Sequence, residues 1–531
     1  MNAPHSYDLL VKPWIPVAWR NDAAEPREPK VGITEALQRS HDIRSISHTS
    51  PFIEFGLYRL LITIVLDANT VAGERPTIGK IRSLLSKRRF DAKVLGDYFK
   101  RHDEGFDLWN SRRPFLQRKI EKTDGQQHEL KPIVTLFSAI PSGTNVTHWC
   151  HCIEDEVALT EDIAAQILTT VSPFNFKNKP GEARTLAGDP PLYGLVLGKD
   201  LFETIVLNLP RPSGRVTIQQ EQNNGPVWRT QLDLHMLPKI PTVTQGFTWP
   251  VRVIALESDG EVVTKSVNRA TYKKPTEKAK KKNENLYDAK YGWRDPNAGV
   301  ETTGDNIVHI KTRPNVPIWR DAVPLFLVAG EGEVLRADKR RSRPEVISNA
   351  LRVLDTPWFN VAVYGMRKKG GGGGDVKVEE WFRSILTFPT EVARDSRLSA
   401  RAIDTFKSAQ RVAEALQTAL RMLRSPSEVR KTARKAIHRT ESDALSNFWR
   451  YLELPLGSMY LEALRNSDPS AEEIFWVLVR REARGTFSKA AGPQRRTADG
   501  LFRIANARNW LEKRLKTIEL SVIKVRKEKK S

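Results

Sequence analysis

The sequence predicts an α+β protein in two parts: an irregular mixed α/β domain over residues 1–390, then an all-α, four-helix-bundle domain over 395–531. Three observations predict it. Residues 1–390 alternate short apolar runs with frequent Pro and Gly, the punctuation of strands, turns and short helices. From Arg397 the apolar positions change period, and Leu398, Ile403, Phe406, Val412, Leu416, Leu420 and Leu423 recur at roughly 3.6 residues. The charge steps as well: residues 395–531 hold 29 Lys+Arg against 16 Asp+Glu, so this quarter of the chain carries +13 of the formal +22.

Tyr7 to Val17 reads as extended, because each proline biases its predecessor towards β or polyproline geometry. Pro51 to Ala68 is the clearest early helix, and Ile78 to Lys100 a second helical region. Thr160 to Thr170 reads as a short helix that stops before Ser172-Pro173. Thr204 to Leu209 and Val251 to Leu256 read as strands, and Asp259-Gly260 as a hairpin turn after the second of them. Trp358 to Val363 and Val376 to Phe382 are strand-like and bracket a glycine run. Helices are predicted over 397–423, 428–437, 441–454, 471–484 and 500–518, joined by short breaks that suit an antiparallel bundle.

A chain of 531 residues with 40% hydrophobic content can bury real cores. A sequence pI near 9.8 points to a polyanionic partner, nucleic acid before an acidic membrane surface. No apolar stretch approaches the roughly 20 residues that span a bilayer. The longest, Leu57 to Leu66, is interrupted by Arg59 and Thr63 and suits a buried helix. The N-terminus lacks a basic-then-apolar secretory pattern, and the two cysteines, Cys150 and Cys152, form no disulfide framework. A cytoplasmic protein without a membrane partner is expected.

The most informative stretch is Tyr364-Gly-Met-Arg-Lys-Lys-Gly-Gly-Gly-Gly-Gly-Asp-Val376. Arg367, Lys368 and Lys369 supply attraction to phosphate. Gly370 to Gly374, lacking Cβ atoms, allow close backbone approach. The alternative is a flexible surface loop that happens to be basic. A second basic segment, 273–290, concentrates Lys278, Lys280, Lys281 and Lys282, residues able to clamp phosphates or enter a groove. A third, Phe174 to Pro190, carries Lys177, Lys179, Gly181, Arg184 and Gly188. In the helical part, Arg430, Lys431, Arg434, Lys435 and Arg439 spread over more than one helix face.

Signals for catalysis are thin. Gly-x-Ser-x-Gly, His-Glu-x-x-His and phosphate-loop motifs are absent from the sequence. Asp288, Asp295 and Asp321 lie near aromatic residues, but no spacing pairs them as a two-metal site requires. His148-Trp149-Cys150-His151-Cys152 gathers four metal donors without a second ligand pair. The sequence therefore predicts no catalytic residues, no metal and no cofactor. Two rival readings stay open: a metal-dependent nuclease using the His148–Cys152 cluster, and a general RNA-binding scaffold.

Several blocks, in order, resemble the large-subunit (CasA) family of the type I-E CRISPR Cascade surveillance complexes. They are Leu9 to Val17, Glu54 to Val65, Arg113-Pro-Phe-Leu-Gln117, Pro141 to Asn145, Gln245 to Pro250, Pro317-Ile-Trp-Arg320 and Phe448-Trp-Arg450. The resemblance implies a non-catalytic reader of the protospacer-adjacent motif in double-stranded DNA. Such a subunit promotes strand separation and R-loop formation, with guide CRISPR RNA and other Cascade subunits as partners. It also implies contact between the helical bundle and displaced single-stranded DNA, assigned here to Arg434 and Arg439, and recruitment of a helicase–nuclease. The family's lysine finger falls within Lys280-Lys281-Lys282, its glycine loop near Lys179 and Gly181, and its first-loop contacts on Trp149, Cys150 and His151. Its glutamine wedge follows a Gly-x-Arg matched by Gly365-Met366-Arg367. Here Lys368, Lys369, Gly370 and Gly371 stand in that place, so lysine or bare backbone must substitute.

Overall fold

The computed structural model describes residues 5–118, 130–137, 157–175, 185–212, 216–230, 241–260, 262–270, 293–304, 306–312, 317–328, 332–336, 338–370, 376–424 and 439–528. The chain divides into two compact units. The first takes Met1–Thr312, Val334–Leu354 and Asn360–Ile385; the second takes Arg313–Glu333, Asp355–Phe359 and Leu386–Ser531.

The first unit is built around helix α1, Pro51–Val71. Pro51 stands in its first turn, where a missing N–H costs nothing, and Gly73, at φ +84°, turns the chain away beyond its end. Nineteen of its 21 residues are buried, so it lies inside the core rather than on it. Helix α2, Glu161–Phe174, packs along it. The close approach needs Gly56: a Cβ there would lie 2.4 Å from the Thr169 hydroxyl. The predicted region Ile78 to Lys100 is two helices, Ile78–Lys87 and Ala92–His102. Arg88 breaks them by entering the left-handed region at φ +53°, and the Asp91 carboxylate caps the second, accepting the Lys93 and Val94 N–H groups.

Among the described residues four sheets form. Strands β1 (Ile15–Trp19), β2 (Lys30–Val31) and β3 (Ile43–Ile46) make the first, in order β2-β1-β3. In the second, β4 (Leu130–Pro132) and β5 (Leu159–Thr160) pair antiparallel with β8 (Val262–Ala270), which also pairs β7 (Arg252–Asp259). Strand β6 (Tyr193–Leu197) belongs to the sheet β14-β13-β6, with β13 Trp358–Gly370 and β14 Val376–Pro389. The fourth sheet runs β10-β9-β12-β11, from β9 (Val300–Thr303), β10 (Asn306–His309), β11 (Glu333–Arg336) and β12 (Lys339–Ser342). The expected turn between β7 and β8 is present, with Gly260 at φ +67°.

Three expectations are corrected. Thr204 to Leu209 is not a strand: Leu201–Leu207 is helical. The Asp200 carboxylate caps it by accepting the Glu203 N–H at 2.8 Å, and burial on every side outweighs the β preference of Thr204, Ile205 and Val206. Helix α2 does not stop before Pro173 but runs through it, because Phe174 is stacked on Phe52 at 4.1 Å. Only the end of Tyr7–Val17 is a strand; the Lys12 N–H donates to the Asp8 carbonyl and closes a turn ahead of β1.

The second unit is helical in its long elements. Four long helices dominate its described residues: α3 Ser396–Met422, α4 Arg439–Pro455, α5 Ala471–Ala490 and α6 Ala498–Glu528. Asp395 caps α3 by accepting the Arg397 and Leu398 N–H groups. Helix α3 packs on the other three. Beyond Pro455 a π-helical stretch, Leu456–Leu461, buries Tyr460, whose hydroxyl lies 2.9 Å from that of Thr405. The helix Ile318–Phe326 joins this unit, although the sequence placed it in the first domain. Trp319 accounts for that, packed 6.2 Å from Phe406 and 5.7 Å from Trp449. The predicted helix 428–437 lies outside the described residues. No helix among the described residues is long and apolar enough to cross a membrane.

Candidate nucleic-acid interface

Helix α1 carries three acidic or basic side chains into the core, and each is met by a partner distant in sequence. Burying a charge is expensive unless it is paired and hydrogen-bonded. Glu54 accepts from the Tyr364 hydroxyl at 2.8 Å and faces Arg383 Nε at 3.0 Å, so β13 and β14 both close on it. Burial raises the Glu54 carboxyl above its usual range, and Arg383 and Tyr364 pull it back. Arg59 donates to Asp295 at 2.8 Å and lies 4.1 Å over the Phe247 ring. Asp67 takes the Arg229 fork at 2.8 and 3.0 Å and the Tyr98 hydroxyl at 2.7 Å.

Three of these partners, Tyr364, Arg383 and Asp295, sit beside the basic segments. Tyr364 and Arg383 lie on β13 and β14, the strands on either side of 371–375. Asp295 follows directly on 271–292, and its neighbour Trp293 is buried, 6.3 Å from Phe247. The root of the third segment, Phe174, stacks on Phe52 and lies 5.6 Å from Phe55. Tyr364 and Tyr193 lie 5.2 and 4.7 Å from that same Phe55 ring. The borders of two basic segments thus share one aromatic cluster at the N-terminal half of α1, and Arg59, 5.9 Å over Phe55 and 4.1 Å over Phe247, ties the border of the third to it. His309 completes the seat of Asp295: its Nε2 accepts the Asp295 N–H at 3.1 Å. Burial pushes the imidazole down to about 4 while Asp295 opposes the shift, so it stays neutral, as an acceptor must.

The predicted residues fall around this platform. Lys280, Lys281, Lys282, Lys179, Gly181, Trp149, His151, Gly371 and Arg434 lie outside the described residues, as does the whole His148–Cys152 cluster. Lys368, Lys369 and Gly370 form the end of β13, and Arg439 begins α4; the side chains of these residues lie outside the description. Arg367 is described. Its guanidinium pairs with Glu380 across the hairpin and lies 5.5 Å over Phe382, so its charge is engaged within the hairpin itself. On β12 and just beyond it, Lys339 and Arg341 are met by Glu301 at 2.6 and 2.8 Å, and Arg343 is buried. In the helical unit, Arg401 and Arg484 make two-pronged pairs with Glu472 and Glu512. Among the described residues no group of three His, Cys, Asp or Glu side chains is arranged to hold a metal ion.

Sequence reasoning missed the anchors. Arg59 was visible only as an interruption of an apolar run, which is itself a signal: a cation in a buried helix demands a partner. Glu54 and Arg383 gave none. Trp381 was also missed; it is 41% exposed and lies 6.3 Å from Phe52, on the same face of β14 as Arg383.

Comparison with known proteins gives one consistent result. The family model for CRISPR-associated protein Cse1 matches residues 8–491. A CRISPR-associated protein CasA/Cse1 of Thermus thermophilus is 28% identical over 276 residues, 50% of this chain and 51% of that one. The matched stretch therefore spans about half the length of that relative. Among solved structures, CasA of Thermus thermophilus superposes with a TM-score of 0.70 at 18% identity, covering 97% of this chain and 100% of that one. Cse1 of Acidimicrobium ferrooxidans gives 0.69 at 20% identity over 98% and 100%. A chain of a CRISPR RNA-guided surveillance complex gives 0.68 at 19% identity over 97% and 100%. The match over 8–491 exceeds half of the sequence, and this chain belongs to the CRISPR-associated Cse1 family.

Proposed function

We propose that the chain is the non-catalytic large subunit of a type I-E Cascade complex. It reads a short protospacer-adjacent motif in double-stranded DNA and opens the duplex so that guide RNA can pair. The observation that carries this reading is the common root of three basic segments on α1 in a chain of the Cse1 family. A reading element must be held on rigid support to act on a groove, and buried ion pairs at two of the roots and aromatic stacking at the third favour that. Sequence is delegated to base pairing, while the protein reads a short duplex motif.

In this mechanism, phosphate contacts capture the duplex and supply most of the affinity. Lys280–Lys282 enter the minor groove and the Lys368–Gly374 tip acts where the strands part. Lysine or glycine backbone does the work that the family's glutamine does. The helical unit, through Arg434 and Arg439, holds displaced single-stranded DNA. The other Cascade subunits and CRISPR RNA complete the complex, which recruits a helicase–nuclease and acts in the cytoplasm.

The test is the triple variant Lys280→Ala/Lys281→Ala/Lys282→Ala in the assembled complex. Binding to a motif-bearing duplex should fall at least about tenfold, and the salt slope should drop by about 1 for each lysine that meets a phosphate. Assembly with guide RNA should be unchanged. Undiminished duplex affinity would overturn the assignment.

A further inference from the structure

Helix α6 turns one long face to solvent. Its Ile504, Ala507, Leu511, Leu515 and Ile518 are buried, and the helix packs on α3. The opposite side, at about 100° of rotation per residue, carries Phe502, Asn506, Asn509, Lys513 and Lys516, all exposed. Phe502 is 67% exposed, more than any other aromatic ring among the described residues. A lone exposed ring needs no explanation by itself. What singles this one out is the charge around it.

Residues 495–519 hold seven Lys+Arg against three Asp+Glu. All three carboxylates are taken: Asp499 by Arg503, Glu512 by the Arg484 fork, and Glu519 by Arg480 at 2.7 Å. Glu512 stands one turn before Lys516, yet both its oxygens accept from Arg484. Lys513 and Lys516 therefore join no ion pair among the described residues. Arg495 and Arg496, in the turn that leads into α6, are exposed and equally without one. From Phe502 to Lys516 the outer face thus offers one aromatic ring, two amides and two unpaired cations, with no carboxylate.

We propose that this face binds single-stranded DNA, with a base stacked on Phe502 and backbone phosphates held by Lys513 and Lys516. The 14 steps from Phe502 to Lys516, at about 1.5 Å each, make a track of about 21 Å. Aromatic rings beside cations are how proteins hold single strands, and the stacking tolerates any sequence because every base has a π face. The Asn506 and Asn509 amides, between the ring and the lysines, can meet base edges or phosphates. A duplex keeps its base faces inside the stack, so Phe502 selects strands already parted. A protein partner would also cover Phe502 and its neighbour Leu501, but beyond Ala505 the face holds only polar and cationic side chains, which suit a polyanion better than an interface core. This site deepens the single-strand role proposed above and rests on it: that role names cations alone, and α6 adds a contact to the bases.

The test is fluorescence anisotropy of labelled oligo-dT titrated with the full chain. Phe502→Ala should weaken binding about tenfold, and Phe502→Tyr should restore it. An oligomer of abasic sugar–phosphate units should bind wild type as weakly as oligo-dT binds Phe502→Ala, and should not sense that substitution. Lys513→Gln/Lys516→Gln should lower the salt slope by about 1.4, at about 0.7 for each phosphate met on a single strand. Melting temperatures should not change, because all three side chains are exposed. Oligo-dT binding that ignores Phe502→Ala, or an abasic oligomer that binds as tightly as oligo-dT, would overturn the site. If Arg434→Gln/Arg439→Gln then weakens binding, the single-strand role of the helical unit stands without α6; if it has no effect either, both fall. A Phe502→Ala chain that holds oligo-dT normally but fails to assemble with the other Cascade subunits would give the face to a protein partner instead.

Discussion

Arg59→Met tests the central joint of the first unit. Arg59 and Asp295 are 5% and 1% exposed and their N–O distance is 2.8 Å. The substitution keeps the apolar stem and removes the charge. It leaves the Asp295 carboxylate buried, with the Asn297 N–H at 3.0 Å as its remaining described partner. Breaking a buried pair from one side costs about 3–5 kcal/mol, since the surviving charge is uncompensated. The lost stacking on Phe247 adds about 1 kcal/mol or somewhat more for a desolvated cation. The expected loss is therefore about 5 kcal/mol. Urea unfolding followed by circular dichroism reads the total, and hydrogen exchange of the 51–71 amides reads this unit alone. Adding Asp295→Asn keeps an acceptor for Asn297 and removes the orphaned charge, so the double variant should be more stable than Arg59→Met. A loss below about 1 kcal/mol, or a double variant no better than the single, would refute the claim that this pair holds the root of 271–292.

Other outcomes follow from the same residues. His309 is neutral when folded, with its value lowered from 6.5 to about 4, so the unfolded chain binds the extra proton between those limits. Its contribution is present above pH 6.5 and is lost as the pH falls towards 4, by about 3 kcal/mol in all. The difference in stability between wild type and His309→Gln should carry that slope, and parallel curves would exclude it. Gly246→Ala places a Cβ 2.0 Å from the buried Trp293 ring and should cost about 1–3 kcal/mol by overpacking, with a shift in tryptophan emission. Arg367→Ala should leave motif binding by the assembled complex within about twofold. It should slow strand opening, read by 2-aminopurine fluorescence, because the Glu380 pair and the Phe382 contact stiffen the hairpin below its tip.

Helix α1 was legible because its apolar residues are nearly continuous and Pro51 marks its start. Helices α3, α5 and α6 were legible from their period alone. Leu201–Leu207 was not, because Thr204, Ile205 and Val206 favour strands. What decides it is tertiary: the Asp200 cap, and Asn208, whose amide meets both backbone groups of Val196. The anchors were illegible for a plainer reason. Glu54 meets Tyr364 across 310 residues, Arg59 meets Asp295 across 236, and Asp67 meets Arg229 across 162. No local pattern encodes such pairs. The basic segments were legible as composition, and their common root was not.

That root bears on the missing glutamine. Six residues separate the anchored Tyr364 from Gly370, about 20 Å of strand at roughly 3.3 Å per residue. The minor groove is about 7.5 Å deep. On the proposed reading, an element of that reach, tied to Glu54 at its base and braced midway by Arg367 against Glu380, parts strands through its stiffness and position. The residue at the tip then needs only to be small enough to enter and cationic enough to hold phosphate. Five glycines behind two lysines meet both conditions. The specific side chain matters less than the joint that carries the load, so in this family member wedge function should be more sensitive to substitutions at Glu54 or Tyr364 than to replacement of any single glycine at the tip.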